Sequence, residues 1–177
     1  DGPAGSSPSM KWVNPPVAFM LHAGVPLLLA ADCHLPGLRP GNLDRVALEA
    51  SPGLLAREIF KALDARASGT VRRSYKSDER AKQTPERLIA RKDLIVALEH
   101  GQTRLGLRLK LTHAQRDTLV DDASGDSLDA VLCLMQAAWA AQQQTAGASP
   151  SDGPGWGLPA FDPLEGWILS SQTLISS

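Results

Sequence analysis

Apolar residues in the middle of the chain recur at helical spacing. Leu55, Ile59 and Leu63 follow one another every four residues, shortly after Ser51-Pro52. Serine is a favoured N-cap and proline is favoured at the first helical position, so this pair predicts the start of a helix. We expect the helix to end near Ser68-Gly69 and to turn its apolar face toward the core.

The same signals predict three further helices. Thr84-Pro85 repeats the cap and the proline before an apolar periodic stretch that ends at Gly101. Thr112 is placed to cap a short helix through Val120. The longest helical pattern covers residues 126–144, and its apolar side holds Leu128, Val131, Leu132, Met135 and Trp139.

Continuous apolar runs toward the front of the chain indicate strands. Residues 45–50 are short, apolar and bounded by turn residues, which predicts a buried strand with Glu49 near its end. The run 17–33 contains Gly24 and Pro26 and is shorter than the roughly 20 apolar residues of a membrane span. It is predicted to be a buried helix, a turn and a strand. Strands that alternate with helices favour an α/β fold.

Length and composition indicate one domain over residues 1–177, with a loop at 146–163 and a C-terminal tail at 164–177 that forms a short strand or docks on the core. Cys33 and Cys133 are too few for a secreted disulfide framework, and nothing resembles a signal peptide. The chain is therefore expected to be cytoplasmic and to have no membrane partner.

Charge is unevenly distributed along the chain. Residues 57–116, here the basic block, hold fifteen Lys or Arg against seven Asp or Glu. Residues 117–177, the acidic block, hold eight Asp or Glu and neither Lys nor Arg. The two blocks either attract each other across the fold or mark a carboxylate site beside a surface that binds a polyanion.

Asp126 and Asp129 form the sharpest candidate site. They stand at positions i and i+3 of the first helical turn, which places both carboxylates on one side, where they could meet one cation. Negative charge at a helix start is also favoured by capping and by the helix dipole, so a structural role stays open. Glu49 ends an apolar strand, where a carboxylate is costly unless it is paired or binds a metal, and Asp1 stands at a strand-to-turn corner.

Five short motifs resemble, in this order, those of the domain-of-unknown-function family four-twenty-nine: DGPAG at 1–5, LEASP at 48–52, SYK at 74–76, DSLDAVLC at 126–133 and EGWI at 165–168. Members of that family are described as predicted nucleases of RNase H-like fold. The D-x-x-D-A helix start is also similar to that of Holliday-junction resolvases, which share the fold.

The resemblance implies a three-layer α/β fold, with a central mixed sheet flanked by helices. The family pattern begins with a strand that carries its own Asp and with a hairpin, and both would lie upstream of Asp1, so we expect this chain to lack its N-terminal strands. Carried over, Asp1, Glu49, Asp126 and Asp129 are the catalytic carboxylates and the ligands of two Mg²⁺ or Mn²⁺ ions that hydrolyse phosphodiester bonds. Hard divalent cations prefer such oxygen ligands.

Nucleic acid is the expected partner of this site. The polar and basic stretch at residues 72–83 is predicted to be a mobile loop, and it contains Arg72, Arg73, Lys76 and Arg80. Lys76 belongs to the SYK motif. Two alternatives stay open. The chain is a non-catalytic RNase H-like module that binds nucleic acid or a protein, or it is a homo-oligomer that associates through sheet edges left open by the missing strands.

Overall fold

The computed structural model describes residues 15–66, 73–145 and 153–171. Within these ranges the chain is mixed α/β, with five α-helices and one two-stranded parallel sheet. In chain order the elements are α1 (Pro15–Ala30), β1 (Cys33–His34), β2 (Asn42–Val46), α2 (Pro52–Arg66), a 3₁₀ turn (Arg80–Lys82), α3 (Pro85–Glu99), α4 (His113–Asp121) and α5 (Asp126–Thr145).

The chain divides into two compact units. One holds Asp1–Ala50 with Ala140–Ser177, and the other, here the helical unit, holds Ser51–Trp139. The boundary falls inside α5. Sequence reasoning predicted a single domain, and that prediction is not tested by this division.

The helix starts of the helical unit are confirmed. α2 begins at Pro52, and the Leu54 N–H donates to Ser51 Oγ over 3.3 Å. α3 begins at Pro85 after Thr84, although the Thr84 side chain caps no backbone group. At the start of α4, Thr112 and Gln115 form a reciprocal capping box, in which each side chain bonds the other's backbone N–H.

All four helices of the helical unit contribute to one apolar core. Most of the predicted periodic positions are buried, and the side chains of Leu94, Leu98, Leu128 and Leu132 are fully enclosed. The remaining positions are partly buried against the same core: Leu63, Leu88, Val131 and Trp139. Between α3 and α4 the chain alternates residues that pack on the core, Leu107, Leu109 and Leu111, with exposed Arg108 and Lys110. Matching apolar faces therefore hold this unit together.

The front of the chain departs from the predicted helix, turn and strand. Residues 15–30 form one helix, α1, that runs through both Gly24 and Pro26. Its side chains are also exposed, with Phe19 at 67%, Met20 at 72% and Leu27 at 70%. The prediction of burial was wrong for these side chains because no described segment of the chain packs over them. Of the helices described, none is long and apolar enough to cross a membrane.

The prediction of a buried strand at residues 45–50 was also wrong. β2 ends at Val46, and its residues 42–45 are exposed, because the sheet has only two short strands and no layer described over them. Glu49 lies three residues beyond β2 and is exposed. This sheet is smaller than the predicted central mixed sheet, so the RNase H-like arrangement stays a prediction.

The C-terminal region is docked and forms no strand within residues 153–171. Ile168 and Leu169 are buried, and the Leu169 N–H donates to the Glu49 carbonyl over 2.7 Å. Of the two outcomes predicted for the segment 166–169, docking is therefore the one observed. Residues 153–163 contain neither helix nor strand, as the predicted loop requires.

Candidate functional site

A segment of the basic block that is neither helix nor strand, residues 73–77, lies against the first turn of α5. Tyr75 is 6% exposed, and its phenol donates a hydrogen bond to Asp129 Oδ1 over 2.5 Å. The neighbouring Lys76 places its ammonium on Asp129 Oδ2 in an ion pair. Each carboxylate oxygen of Asp129 thus has its own donor, and the two donors come from consecutive residues. Tyr75, Lys76 and Asp129 are called the Asp129 cluster below.

A glycine at the start of α5 permits this close approach. Gly125 has a φ of +77°, a backbone conformation that other residues rarely adopt. A Cβ built there would stand 2.6 Å from Lys76 Cβ and 3.4 Å from the Tyr75 ring. Any larger residue would push the Lys76 stem away from α5. The glycine of the sequence Ser124-Gly125-Asp126 therefore has a steric role in the cluster.

Asp122 anchors the same helix start, which sequence reasoning missed. Its carboxylate accepts from the Ser127 N–H over 2.8 Å, from the Gly125 N–H over 3.2 Å and from the Ser124 hydroxyl over 2.6 Å. The bonds from Ser124 and from these backbone amides hold the pKa of Asp122 well below its usual value. The signal in the sequence was an Asp two residues before Ser-Gly, a typical turn that leads into a helix.

Asp126 differs from Asp129 in its surroundings. It is exposed, and its Oδ2 lies 3.1 Å from the Ser124 hydroxyl. Because Asp122 bonds the helix amides, capping is the role of Asp122. The two acids of the predicted pair therefore do different things: Asp129 meets Tyr75 and Lys76, and Asp126 stands open to solvent beside Ser124.

Burial and charge change the pKa of Tyr75 in the cluster and of Cys133 close to it. Burial raises the pKa of the Tyr75 phenol well above its usual value, and the hydrogen bond to Asp129 raises it further. Burial also raises the pKa of the Cys133 thiol, with a further contribution from the charge of Asp129. Cys133 stands one turn after Asp129 on α5. At neutral pH the Tyr75 phenol and the Cys133 thiol therefore both stay neutral.

The other predicted nucleic-acid-binding residues have separate surroundings. Arg73 pairs with Asp64 over 2.9 Å and with Asp93 over 2.7 Å, and its guanidinium lies 6.0 Å above the Phe60 ring. Arg80 is exposed in the 3₁₀ turn, and Arg72 lies outside the described residues. Of the mobile loop predicted at residues 72–83, residues 73–77 instead pack against α5, whereas residues 78–83 are exposed and include the 3₁₀ turn.

The ion pairs answer the question raised by the two charge blocks. Five of the six pairs seen among the described residues join charges within the basic block, for instance Arg104 with Glu58 and Arg116 with Glu99. The pair between Lys76 and Asp129 is the one that links the basic block to the acidic block. Among these six ion pairs, the contact between the two blocks therefore lies at the candidate site.

The remaining predicted carboxylates, Glu49 and Asp1, fall in the other part of the chain's division into two units. Glu49 belongs to the other compact unit, where it is exposed, and Asp1 lies outside the described residues. Over the ranges 15–66, 73–145 and 153–171, no group of three His, Cys, Asp or Glu side chains is placed to hold a metal ion. The helical unit itself supplies two candidate ligands, Asp126 and Asp129.

Comparisons with protein-family models, with curated proteins and with solved structures find no match for this chain.

Proposed function

We propose that this protein is a metal-dependent nuclease of RNase H-like fold that hydrolyses phosphodiester bonds in nucleic acid. The observation that supports it is the contact between two motifs far apart in the chain. Tyr75 and Lys76 belong to the SYK motif, Asp129 belongs to the DSLDAVLC motif, and all three meet in one cluster. Motifs that share a site are expected to meet in this way.

Asp126 and Asp129 are the proposed ligands for Mg²⁺ or Mn²⁺ in the helical unit. Their carboxylate oxygens are the donors that these ions prefer, and their spacing of three residues puts both in the first turn of α5. A divalent cation held there would activate water and stabilise the leaving oxygen. The contributions of Asp1 and Glu49 stay predictions from the resemblance.

Lys76 is the proposed phosphate-binding group of the site. Its side chain is partly exposed and stands beside a proposed metal ligand, so a nucleic-acid phosphate that bridges to the metal would also reach the ammonium. In the absence of metal the ammonium neutralises Asp129. Arg72, Arg73 and Arg80 stay predicted contributors to the same surface.

Isothermal titration with Mn²⁺ tests this function. We expect the protein to bind Mn²⁺ and the variant Asp126→Asn/Asp129→Asn to bind it roughly tenfold more weakly or worse, because metal affinity follows the number of charged ligands. The matched control is Asp117→Asn, an exposed acid on α4. We also expect Mn²⁺-dependent cleavage of DNA or RNA oligonucleotides that the double variant abolishes. Absent Mn²⁺ binding, or binding unchanged in the double variant, would refute the proposal.

One observation favours a second candidate, a non-catalytic RNase H-like module that binds nucleic acid or a protein. Both oxygens of Asp129 are already bonded within the protein, by Tyr75 and Lys76. A carboxylate in such a pair stabilises the contact between the 73–77 segment and α5 without any metal. Under this function the Asp126→Asn/Asp129→Asn variant would lose stability, bind no less Mn²⁺ than the wild type, and keep its affinity for partners.

A further inference from the structure

Two arginines on one face of α3 hold the backbone of the 73–77 segment. Arg91 donates through Nε to the Val120 carbonyl over 2.7 Å and through Nη1 to the Tyr75 carbonyl over 2.9 Å. Arg87, four residues earlier on α3, donates through Nη1 to the Lys76 carbonyl. Residues at i and i+4 share a helix face, so the pair grips the carbonyls of two consecutive residues.

Arg91 is unusual because its charged side chain is buried. It is 4% exposed, and burying a guanidinium costs free energy unless its donors are bonded. Its hydrogen bonds in the described structure go to main-chain carbonyls, and none of the ion pairs there includes it. The buried charge therefore joins two backbone segments: the one that carries Tyr75 and Lys76, and the end of α4.

The 73–77 segment needs such support because of where its side chains go. Successive side chains of a regular extended segment point to opposite sides. Tyr75 and Lys76 nevertheless both reach Asp129, and both pack on Gly125. The segment is further tied by a bond from the Ser77 N–H to the Ala123 carbonyl over 3.2 Å. The backbone of this segment is thus bonded by the two arginines of α3 and also by the hydrogen bond between Ser77 and Ala123.

We propose that Arg91, assisted by Arg87, is the positioning residue of the candidate site, because it sets the backbone from which Tyr75 and Lys76 reach Asp129. It touches no proposed substrate group itself and acts through Lys76, the group proposed to meet the nucleic-acid phosphate. That last step depends on the proposed function, whereas the position of Tyr75 is measurable without metal or nucleic acid.

Nuclear magnetic resonance of Tyr75 tests the positioning directly. Tyr75 is the only tyrosine of the chain, so tyrosine labelled with ¹³C at Cζ produces one signal. Asp129→Asn marks where that signal moves when the carboxylate is lost. We expect Arg91→Met to move it in the same direction and Arg91→Lys to restore part of the wild-type position. Lys92→Met, at the exposed next position of α3, is the matched control and should leave the signal unchanged.

Binding of a single-stranded oligonucleotide, followed by fluorescence anisotropy, tests the link to Lys76. Lys76→Met and Arg91→Met should each weaken binding severalfold, and the double variant should be no weaker than Lys76→Met alone, because both changes remove the same contact. Should Arg91→Met fail to fold, Arg87→Met applies the same test from the less buried arginine.

The outcomes separate this inference from the proposed function. A Tyr75 signal that stays in place in folded Arg91→Met overturns the inference, as does a shifted signal with unchanged affinity for the oligonucleotide. A wild-type protein that binds neither Mn²⁺ nor nucleic acid overturns the proposed function and the phosphate role of Lys76, whatever the Tyr75 signal shows.

Discussion

α1 and α5 are both rich in apolar residues, yet they have opposite surroundings. On α5 the side chains of Leu128 and Leu132 are fully buried and Met135 is 5% exposed. On α1, Met20 and Leu27 are each at least 70% exposed. The difference lies in periodicity: α5 alternates an apolar side with a side of Ala, Gln and Asp, whereas α1 carries no charged residue at all. The average hydrophobicity of a helix therefore did not predict whether its side chains are buried, whereas an amphipathic pattern did.

The largest effect on stability is expected when a buried side chain of α5 is removed. Leu132→Ala should lower the free energy of unfolding by about 3 kcal/mol, because it deletes a fully buried side chain and leaves a cavity. Urea denaturation followed by circular dichroism measures the change. Leu134→Ala, on the same helix at 59% exposure, is the matched control and should cost far less. Equal losses in the two variants would contradict the described core.

Loss of the Asp122 cap at the start of α5 is expected to have an intermediate effect on the free energy of unfolding, and this effect depends on pH. α5 is capped by Asp122, whereas α1 has no acid in its first turn. Asp122→Ala should cost about 1–2 kcal/mol at pH 7. Because the folded-state pKa of Asp122 lies below the unfolded value of about 4, this stabilisation is present above pH 4 and is lost as the pH falls through the folded pKa.

Urea denaturation at pH 7, 5 and 3 checks this dependence. The difference between wild type and Asp122→Ala should be full at pH 7 and 5 and should shrink at pH 3. Asp121→Ala, which changes the adjacent exposed carboxylate, is the control. A difference that grows on acidification would show that the carboxylate bonds do not stabilise the helix start.

The smallest effect is expected on α1. Leu27→Ala should change the free energy of unfolding by no more than about 0.5 kcal/mol, because a side chain exposed at 70% has little burial to lose. The same denaturation experiment measures it beside Leu132→Ala. A loss comparable to that of Leu132→Ala would mean that α1 is covered in solution. The homo-oligomer considered from the sequence stays a prediction, and sedimentation at increasing concentration would then identify a second copy as the cover.

Local signals determined much of the helical unit. Ser51-Pro52, Thr84-Pro85 and Thr112 each precede a helix, since caps and first-turn prolines act within a few residues of sequence. The same signals were insufficient for the front of the chain. Gly24 and Pro26 indicated a break there, yet α1 is continuous through both. A glycine or a proline disfavours the interior of a helix without excluding it.

The candidate site was predictable in part. Asp126 and Asp129 were placed in the first turn of a helix from their spacing, and Lys76 was assigned to the phosphate-binding surface. Arg91 was missed, although its place three residues after Leu88 and four before Ile95 puts it on the core face of α3. A charged residue on that face is a signal that a buried partner is needed.

The sequence by itself determined where the helices of the helical unit begin and which of their faces are buried, because both depend on residues within one or two turns. Tertiary structure alone decided that Tyr75 and Lys76 meet Asp129, more than fifty residues away. Such contacts depend on how separate segments pack, and hydrogen bonds and ion pairs between distant residues leave no periodic pattern in the sequence.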